Sequence, residues 1–417
     1  MAKKPKIFMD LLYTPGTGWG NFGYQFVKFA SLQGYEIIPL TRFRLELNHI
    51  PFQELELWRK VLMNALPYQE KFAKGEMIID KDAILYTHMN WGDVQIGYPN
   101  LQVGRVVGIC FFEYVHDAQM RAAKLNQGLD YVICGSYWNR DLLKQFGCTK
   151  AVTIWQGVNI DCFYPRLVPL DCQHHFTLFS GGKLEIRKGQ DVVLSAIEKI
   201  MGRIPNFRVA SQWYWGGEVD MAKTMNGMGV MKHPFHFAQK QNDAGKNINV
   251  IDYQTSFQPY GIDSKILTML SPSLPAQMGY QYTQCHAAVS PSRAEGGTNL
   301  VAMETIAAGL PTLLSNNTGQ CDLIEMAPAI KDFYLEKSLQ VREAGSGANA
   351  DPNAIPRMQD WGWPVADEIA DRMVDLYQHY EHYQQKALLA AKQIAHYSWQ
   401  NQVAKMLDLM VHDRHKA

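Results

Sequence analysis

The chain has 417 residues, 47% of them hydrophobic, with 40 Lys and Arg balanced by 40 Asp and Glu. That length and apolar content provide for two or three domains with full cores. The charge balance argues against a nucleic-acid groove or strong attraction to anionic lipid, and leaves only peripheral membrane contact open. Seven scattered cysteines without a C-x-x-C read as free thiols of a reducing compartment. The basic-then-apolar start is interrupted by Asp10, and no stretch has the length of a membrane span, so a cytoplasmic protein is expected.

In chain order, KIFMDLLY reads as a strand, TPGTGWGN as a glycine-rich loop, FGYQFVKFASLQ as a helix and YEIIPL as the next strand. This βαβ unit implies a parallel sheet. AILYTHM, RVVGICFF and LDYVICGS are further buried strands, and YWNRDLLKQFG is a helix ending at Gly147. AVTIWQGVNIDCFYPRLVP then reads as a linker running through Pro165 and Pro169. A second βαβ pattern follows: FTLFSGG as strand, KLEIRKGQ as loop, DVVLSAIEKIM as helix and FRVASQWYW as strand. Residues 216–262 show no clear period and read as an insertion. HAAVSPS and PTLLS are strands, 343–356 is a surface loop, and the chain is largely helical from Val365 with a break near Tyr397–Trp399.

Ligands collect at the carboxyl ends of strands in open α/β sheets, and three loops fall there. The first holds a G-x-G-x-x-G, Gly18, Gly20 and Gly23. A dinucleotide, phosphate or substrate approach, and simple close packing of helix on loop all suit it. No acidic residue ends the second strand; Arg42 and Arg44 stand there, which keeps an NADP site as one reading. The second loop is SGGKLEIRKG, where Lys183, Arg187 and Lys188 suit a diphosphate. It is not a Walker loop. The third is SRAEGGTNLVAMETIAAGLPTLLS (292–315), where EGGTNL runs into a helix N-terminus whose amides favour an anion.

That helix is expected to start at a capping Asn299 and to stop at Gly309 and Pro311. Glu304 shares its apolar face with Leu300, Val301, Ala307 and Ala308, a costly position for a charge without a partner. A structural ion pair, a stripe less buried than it reads, or a ligand contact would explain it. Lys183, Lys188 and the amides of Thr298–Leu300 could gather on one phosphate group. Glu295 could meet a polyhydroxyl group and Glu304 a ribose. The pairs His233/His236 and His379/His382 read as a loop and a solvated helix rather than as metal ligands.

Four stretches in order resemble the retaining glycosyltransferases of family 4. GVNIDCFYP (157–165) is similar to that family's NGVDxxxFxP, and GKLEIRKG (182–189) to GRLxxxKG, with Lys183 in place of arginine. PSRAEGGTNLVAME resembles PSxxEGFGLxxxE, and YSW (397–399) resembles the crossing at the C-terminal helix. Glu295 and Glu304 stand as E-x8-E where the family has E-x7-E, so one extra residue lies in the phosphate loop, and Asn159 replaces the usual linker aspartate.

The resemblance implies an α/β protein of GT-B fold, two doubly wound Rossmann-like domains facing across a cleft. Residues 1–168 would bind the acceptor and 169–396 the nucleotide sugar, with the helix at about 397–417 packing back on the first. It implies transfer of a hexose-type sugar from a UDP- or GDP-linked donor, with retention, to a sugar, lipid-linked or other hydroxyl acceptor. Neither a cofactor nor a divalent metal is implied, since Lys183, Lys188 and helix amides would neutralise the leaving diphosphate. Glu295 would orient sugar hydroxyls and Glu304 would hold the ribose. Gly16, Gly18 and Gly20 would lie against donor phosphate and acceptor, beside Arg187, Gly296, Gly297, Thr298, Asn299 and Leu300. Glu113 and His116 are alternatives for a polar group at the reaction centre, and His88 is a third cleft candidate. Domain closure would exclude water and so limit hydrolysis of the donor. The competing readings are an NADP-linked oxidoreductase built on the first glycine loop and a non-catalytic sugar-binding protein of the same fold.

Overall fold

A computed structural model describes residues 4–41, 45, 50–89, 96–166, 170–172, 174–213, 216–242, 245–271, 273–336 and 361–412. Arg42, Arg44 and the expected surface loop at 343–356 lie outside the described residues. The chain divides into two compact units, one of residues 1–159, 296–300 and 396–417, the other of residues 160–295 and 301–395.

The first unit begins with β1 (Lys6–Asp10), α1 (Gly18–Leu32) and β2 (Glu36–Pro39), followed by α2 (Leu55–Ala73), β3 (Ile78–His88) and β4 (Leu101–Cys110). It continues with α3 (Val115–Gly128), β5 (Tyr131–Cys134), α4 (Tyr137–Gln145) and β6 (Ala151–Thr153). The six strands form one parallel sheet in the order β2-β1-β3-β4-β5-β6. Strands covered on both faces read as unbroken apolar runs, and all four residues of β5 are buried.

In the second unit come β7 (Phe176–Gly181), α5 (Gln190–Ile200), β8 (Phe207–Gln212), α6 (Glu218–Gly227), β9 (Phe237–Gln241), β10 (Asn247–Ile251) and α7 (Tyr253–Phe257). After these come β11 (Leu267–Met269), α8 (Pro275–Tyr282), β12 (Ala287–Ser290), α9 (Leu300–Ala307), β13 (Thr312–Ser315), α10 (Leu323–Met326) and β14 (Tyr334–Leu335). Two helices, α11 (Ala366–Gln378) and α12 (Tyr380–Ile394), complete it. Its parallel sheet runs β11-β8-β7-β12-β13-β14, a doubly wound order whose direction reverses between β7 and β12. Both expected Rossmann-like sheets are therefore present.

The stretch read as a periodless insertion is ordered: α6, an antiparallel β9–β10 hairpin and α7 occupy it. Its strands are too polar and too exposed to show an apolar period. The last helix, α13 (Trp399–Val411), follows the expected break and belongs to the first unit. Trp399, Val403, Met406 and Met410 join the core around Phe22, Phe26 and Tyr86. Among the described residues no helix is long and apolar enough to cross a membrane.

Candidate active site

β7 and β12 are hydrogen-bonded neighbours on either side of the reversal in the second sheet. The crevice beyond the strands' carboxyl ends at such a reversal is where doubly wound folds bind ligands. The loops leaving these two strands carry Arg187, Lys188 and Glu295.

The loop after β7 turns through a short 3-10 segment, Ile186–Lys188, and closes at Gly189, whose φ is 73°. A side chain there would meet the Pro291 carbonyl oxygen at 2.3 Å, so only glycine lets the two loops touch. Gln190 fixes the loop, donating to the Lys183 carbonyl at 2.7 Å while its own oxygen accepts from the Glu185 amide at 3.3 Å.

Across this contact Lys188 donates to Glu295 Oε1 at 2.6 Å and Arg187 to Glu295 Oε2 at 2.9 Å. The Ser292 hydroxyl also donates to Oε1, at 2.6 Å. Arg187 pairs in addition with Glu185 at 2.7 Å. Burial favours the neutral form of Glu295, but the charges of Lys188 and Arg187 outweigh it and hold the carboxyl below its ordinary range. Burial in turn pushes the Lys188 ammonium down. The Glu295 amide donates to the Thr318 hydroxyl at 2.7 Å and its carbonyl accepts from Gly319 at 3.0 Å, so backbone on both sides fixes this carboxylate.

Glu304, on α9, is the other buried acid of the motif. The Tyr282 hydroxyl donates to it at 3.3 Å. Burial raises its pKa to about 8 against the weak opposing effect of that bond. The α9 stop falls as expected: Gly309 is left-handed at φ 74° and Leu310 donates to the Thr305 carbonyl. The start does not. Asn299 has φ 63°, whereas a capping residue is extended, so this turn enters the helix by a left-handed kink.

Lys183 is half-buried on the loop after β7, and the remaining candidates lie in the first unit. Gly296, Gly297, Thr298 and Asn299 are buried there, with the Ser136 hydroxyl donating to the Gly296 carbonyl at 2.8 Å. Leu300 is half-buried. Gly16, on the loop leaving β1, and Gly18, at the start of α1, are exposed. Gly20 and Gly23 are required by packing. Side chains would meet the Thr14 and Leu12 carbonyl oxygens at 1.9 and 2.1 Å, so α1 lies flush on its own loop. That accounts for two of the three glycines without a dinucleotide. Glu113 is half-buried just before α3, while His116 is exposed in its first turn. His88 is exposed at the end of β3, its ring 6.1 Å from that of Trp19.

Among the described residues no group of three or more His, Cys, Asp and Glu is placed to hold a metal ion. Sequence reasoning missed Arg293, Asp191, Thr318 and Trp363, all of which brace the loops named above.

The whole chain superposes on solved structures of GT-B proteins. It covers 98% of sucrose-phosphate synthase from Thermosynechococcus elongatus, with 98% of its own length aligned, a TM-score of 0.62 and 14% identity. A glycosyltransferase from Rickettsia africae gives 98% and 98%, TM-score 0.59 and 12% identity. Anabaena HepE, crystallised with UDP and glucose, gives 97% of this chain and 100% of that one, TM-score 0.57 and 12% identity. These likenesses define the fold as GT-B. Residues 272–406, which include Glu295 and Glu304, match the family described as "Family 4 Glycosyltransferase in conflict systems". The chain thus has the GT-B fold, and its C-terminal third is similar to family 4 glycosyltransferases. No curated protein matches the sequence.

Proposed function

We propose that the enzyme transfers a hexose-type sugar from a UDP-linked donor to a hydroxyl of a carbohydrate or lipid-linked acceptor, with retention of anomeric configuration. The observation that carries this reading is the buried carboxylate of Glu295 held between Lys188 and Arg187 at the carboxyl ends of β7 and β12. Diphosphate oxygens carry the charge that a lysine and an arginine attract. The carboxylate between them is the acceptor that sugar hydroxyls require.

As the bond from the anomeric carbon to the diphosphate breaks, negative charge grows on the leaving oxygen, and Lys188, Arg187 and Lys183 stabilise it more in the transition state than in the ground state. Positive charge grows on the ring, and Glu295 opposes it. The acceptor hydroxyl forms the new bond to the anomeric carbon on the face the diphosphate leaves, and its proton passes to the freed diphosphate oxygen. Glu304 receives the ribose. On this reading the cations of the chain do the work of a divalent metal, and turnover persists in EDTA. UDP is preferred over GDP because HepE, which shares the fold over its whole length, holds UDP and glucose.

The test is a thermal-shift panel with UDP, GDP, ADP and NADPH, followed by turnover of UDP-sugars read by mass spectrometry and proton NMR. UDP should give the largest stabilisation, and the product should keep the donor's anomeric configuration. Turnover should be lost in Glu295→Ala. A response to NADPH alone would support the oxidoreductase reading; UDP-sugar binding with no turnover on any acceptor would mark a sugar-binding protein.

A further inference from the structure

Arg293 is fully buried, two residues ahead of Glu295, in a stretch where an apolar side chain would cost less. Its guanidinium makes a two-pronged pair with Asp191 on α5, at 2.8 and 2.6 Å, and also donates to the Ile186 carbonyl. The Arg293 backbone N–H donates to the Arg187 carbonyl at 2.6 Å. One residue thus ties the peptide carrying Glu295 to the loop carrying Arg187 and Lys188 at two backbone carbonyls and to α5 at Asp191, without using either cation.

The other face of Arg293 meets a motif that the proposed chemistry leaves unused, Trp361-Gly362-Trp363. The guanidinium carbon stands 4.0 Å from the centre of the Trp363 ring. Gly362 donates to the Arg293 carbonyl at 3.0 Å. A side chain on Gly362 would meet Asn317 Oδ1 at 1.7 Å, and Asn317 in turn donates to the Ser292 carbonyl at 3.2 Å. Asp191 on one side and the Trp-Gly-Trp segment on the other therefore grip the strand of chain from Ser292 to Glu295.

We propose that Arg293 is a positioning residue: clamped between Asp191 and Gly362–Trp363, it sets the register of Glu295 against Lys188 and Arg187. The inference rests on the glycosyltransferase reading of those three groups. Arginine suits the task because it satisfies a carboxylate, a carbonyl and a ring at once from one rigid plane. Lysine keeps the charge and loses that geometry. A displacement of about 1 Å at reacting groups costs on the order of 10²-fold in rate.

Arg293→Lys should therefore lower kcat for UDP-sugar turnover by on the order of 10²-fold with KM nearly unchanged. The acid limb of its pH–rate profile should move upward as Glu295 loosens from its cations. Hydrogen exchange should speed up at 186–189 and 291–295 together, with 207–212 unmoved. The control is Ile197→Val, a core change on α5 that lowers melting temperature without touching the clamp and should leave kcat and the acid limb as they are. Gly362→Ala gives a second route that retains Arg293 and should show the same triad of effects in milder form. If the acid limb stays fixed in both clamp variants, or if their kcat falls no further than that of a core variant of equal melting temperature, the proposal is overturned. Wild-type enzyme that turns over no UDP-sugar would overturn the functional reading instead, and hydrogen exchange would still report on the clamp.

Discussion

Glu295 and Glu304 lie in one motif and are equally withdrawn from water, 5% and 8% exposed, yet they are in opposite electrostatic states. Glu295 is ringed by Lys188, Arg187 and the Ser292 hydroxyl, and is ionised. Glu304 has a phenol at 3.3 Å and a low-dielectric setting, with Phe163 and Phe179 packed on its tyrosine partner, and carries a proton up to about pH 8. Burial alone sends a carboxyl towards neutrality; a cation within contact distance reverses it. A site that needs a permanent negative charge must therefore build the cations in. A site that needs only a hydrogen-bond acceptor on demand can leave the acid neutral until a ligand arrives.

The largest effect expected from this contrast is at Glu295. Replacing it with alanine removes the acceptor for sugar hydroxyls and the charge opposing the developing cation, so turnover should fall by at least ~10³-fold. UDP affinity, measured by calorimetry, should hold or rise, because Lys188 and Arg187 no longer have an internal anion to satisfy. Loss of UDP binding together with turnover would show that Glu295 organises the cations rather than opposing the ring charge. Lys188→Met comes next, with a loss of roughly 10²-fold in kcat. Its pH–rate profile should show an acid limb displaced upward, because one of the two charges that keep Glu295 ionised has gone. An unmoved limb would locate the controlling charge on Arg187.

Glu304→Gln should act through stability and proton exchange rather than rate. The folded acid titrates near pH 8 and an unfolded one near 4.5. Between those values the folded state holds a proton the unfolded state has lost, so stability must fall as pH rises across that window. The slope is at most about 1.4 kcal/mol per pH unit. The glutamine variant should match wild type at pH 4.5 and exceed it increasingly up to pH 8, as read by denaturant midpoints. If Glu304 accepts ribose hydroxyls, nucleotide binding near pH 7 should release a proton in wild type and none in the variant. Calorimetry in buffers of different ionisation heat measures this directly.

Much of this was legible in the sequence because parallel strands covered on both faces leave short apolar runs, and their loops leave glycines. That is how β7, β12 and the cation and glutamate loops were found. Three kinds of feature were not. Helix α2 buries Trp58, Val61, Ala65 and Gln69, but Pro67 stands inside it and reads as a stop. Pro67 is exposed, where water can satisfy the hydrogen bond it removes. The β9–β10 hairpin is held by backbone pairing between exposed polar residues and has no apolar alternation to read. The clamp around Arg293 joins residues 191, 293 and 362–363, and no local period reports a contact across such distances in the chain.

The smallest expected effect makes the sharpest test of why Glu304 is neutral. Its phenol partner, Tyr282, is fully buried between Phe163 and Phe179 and gives the acid its hydrogen bond. That bond favours the ionised acid and so opposes burial. Tyr282→Phe keeps the ring packing and deletes the donor. If burial sets the state of Glu304, the variant's stability should continue to fall beyond the pH at which wild type levels off. The gap should be on the order of 1 kcal/mol above pH 8 and smaller at pH 6. Chemical denaturation at those two values would show it. An equal gap at both would mean that the phenol acts independently of the ionisation of Glu304. A stability curve that levels off earlier than wild type would mean that the hydroxyl was stabilising the neutral acid, and the account of Glu304 as an acid held neutral against its hydrogen bond would fail.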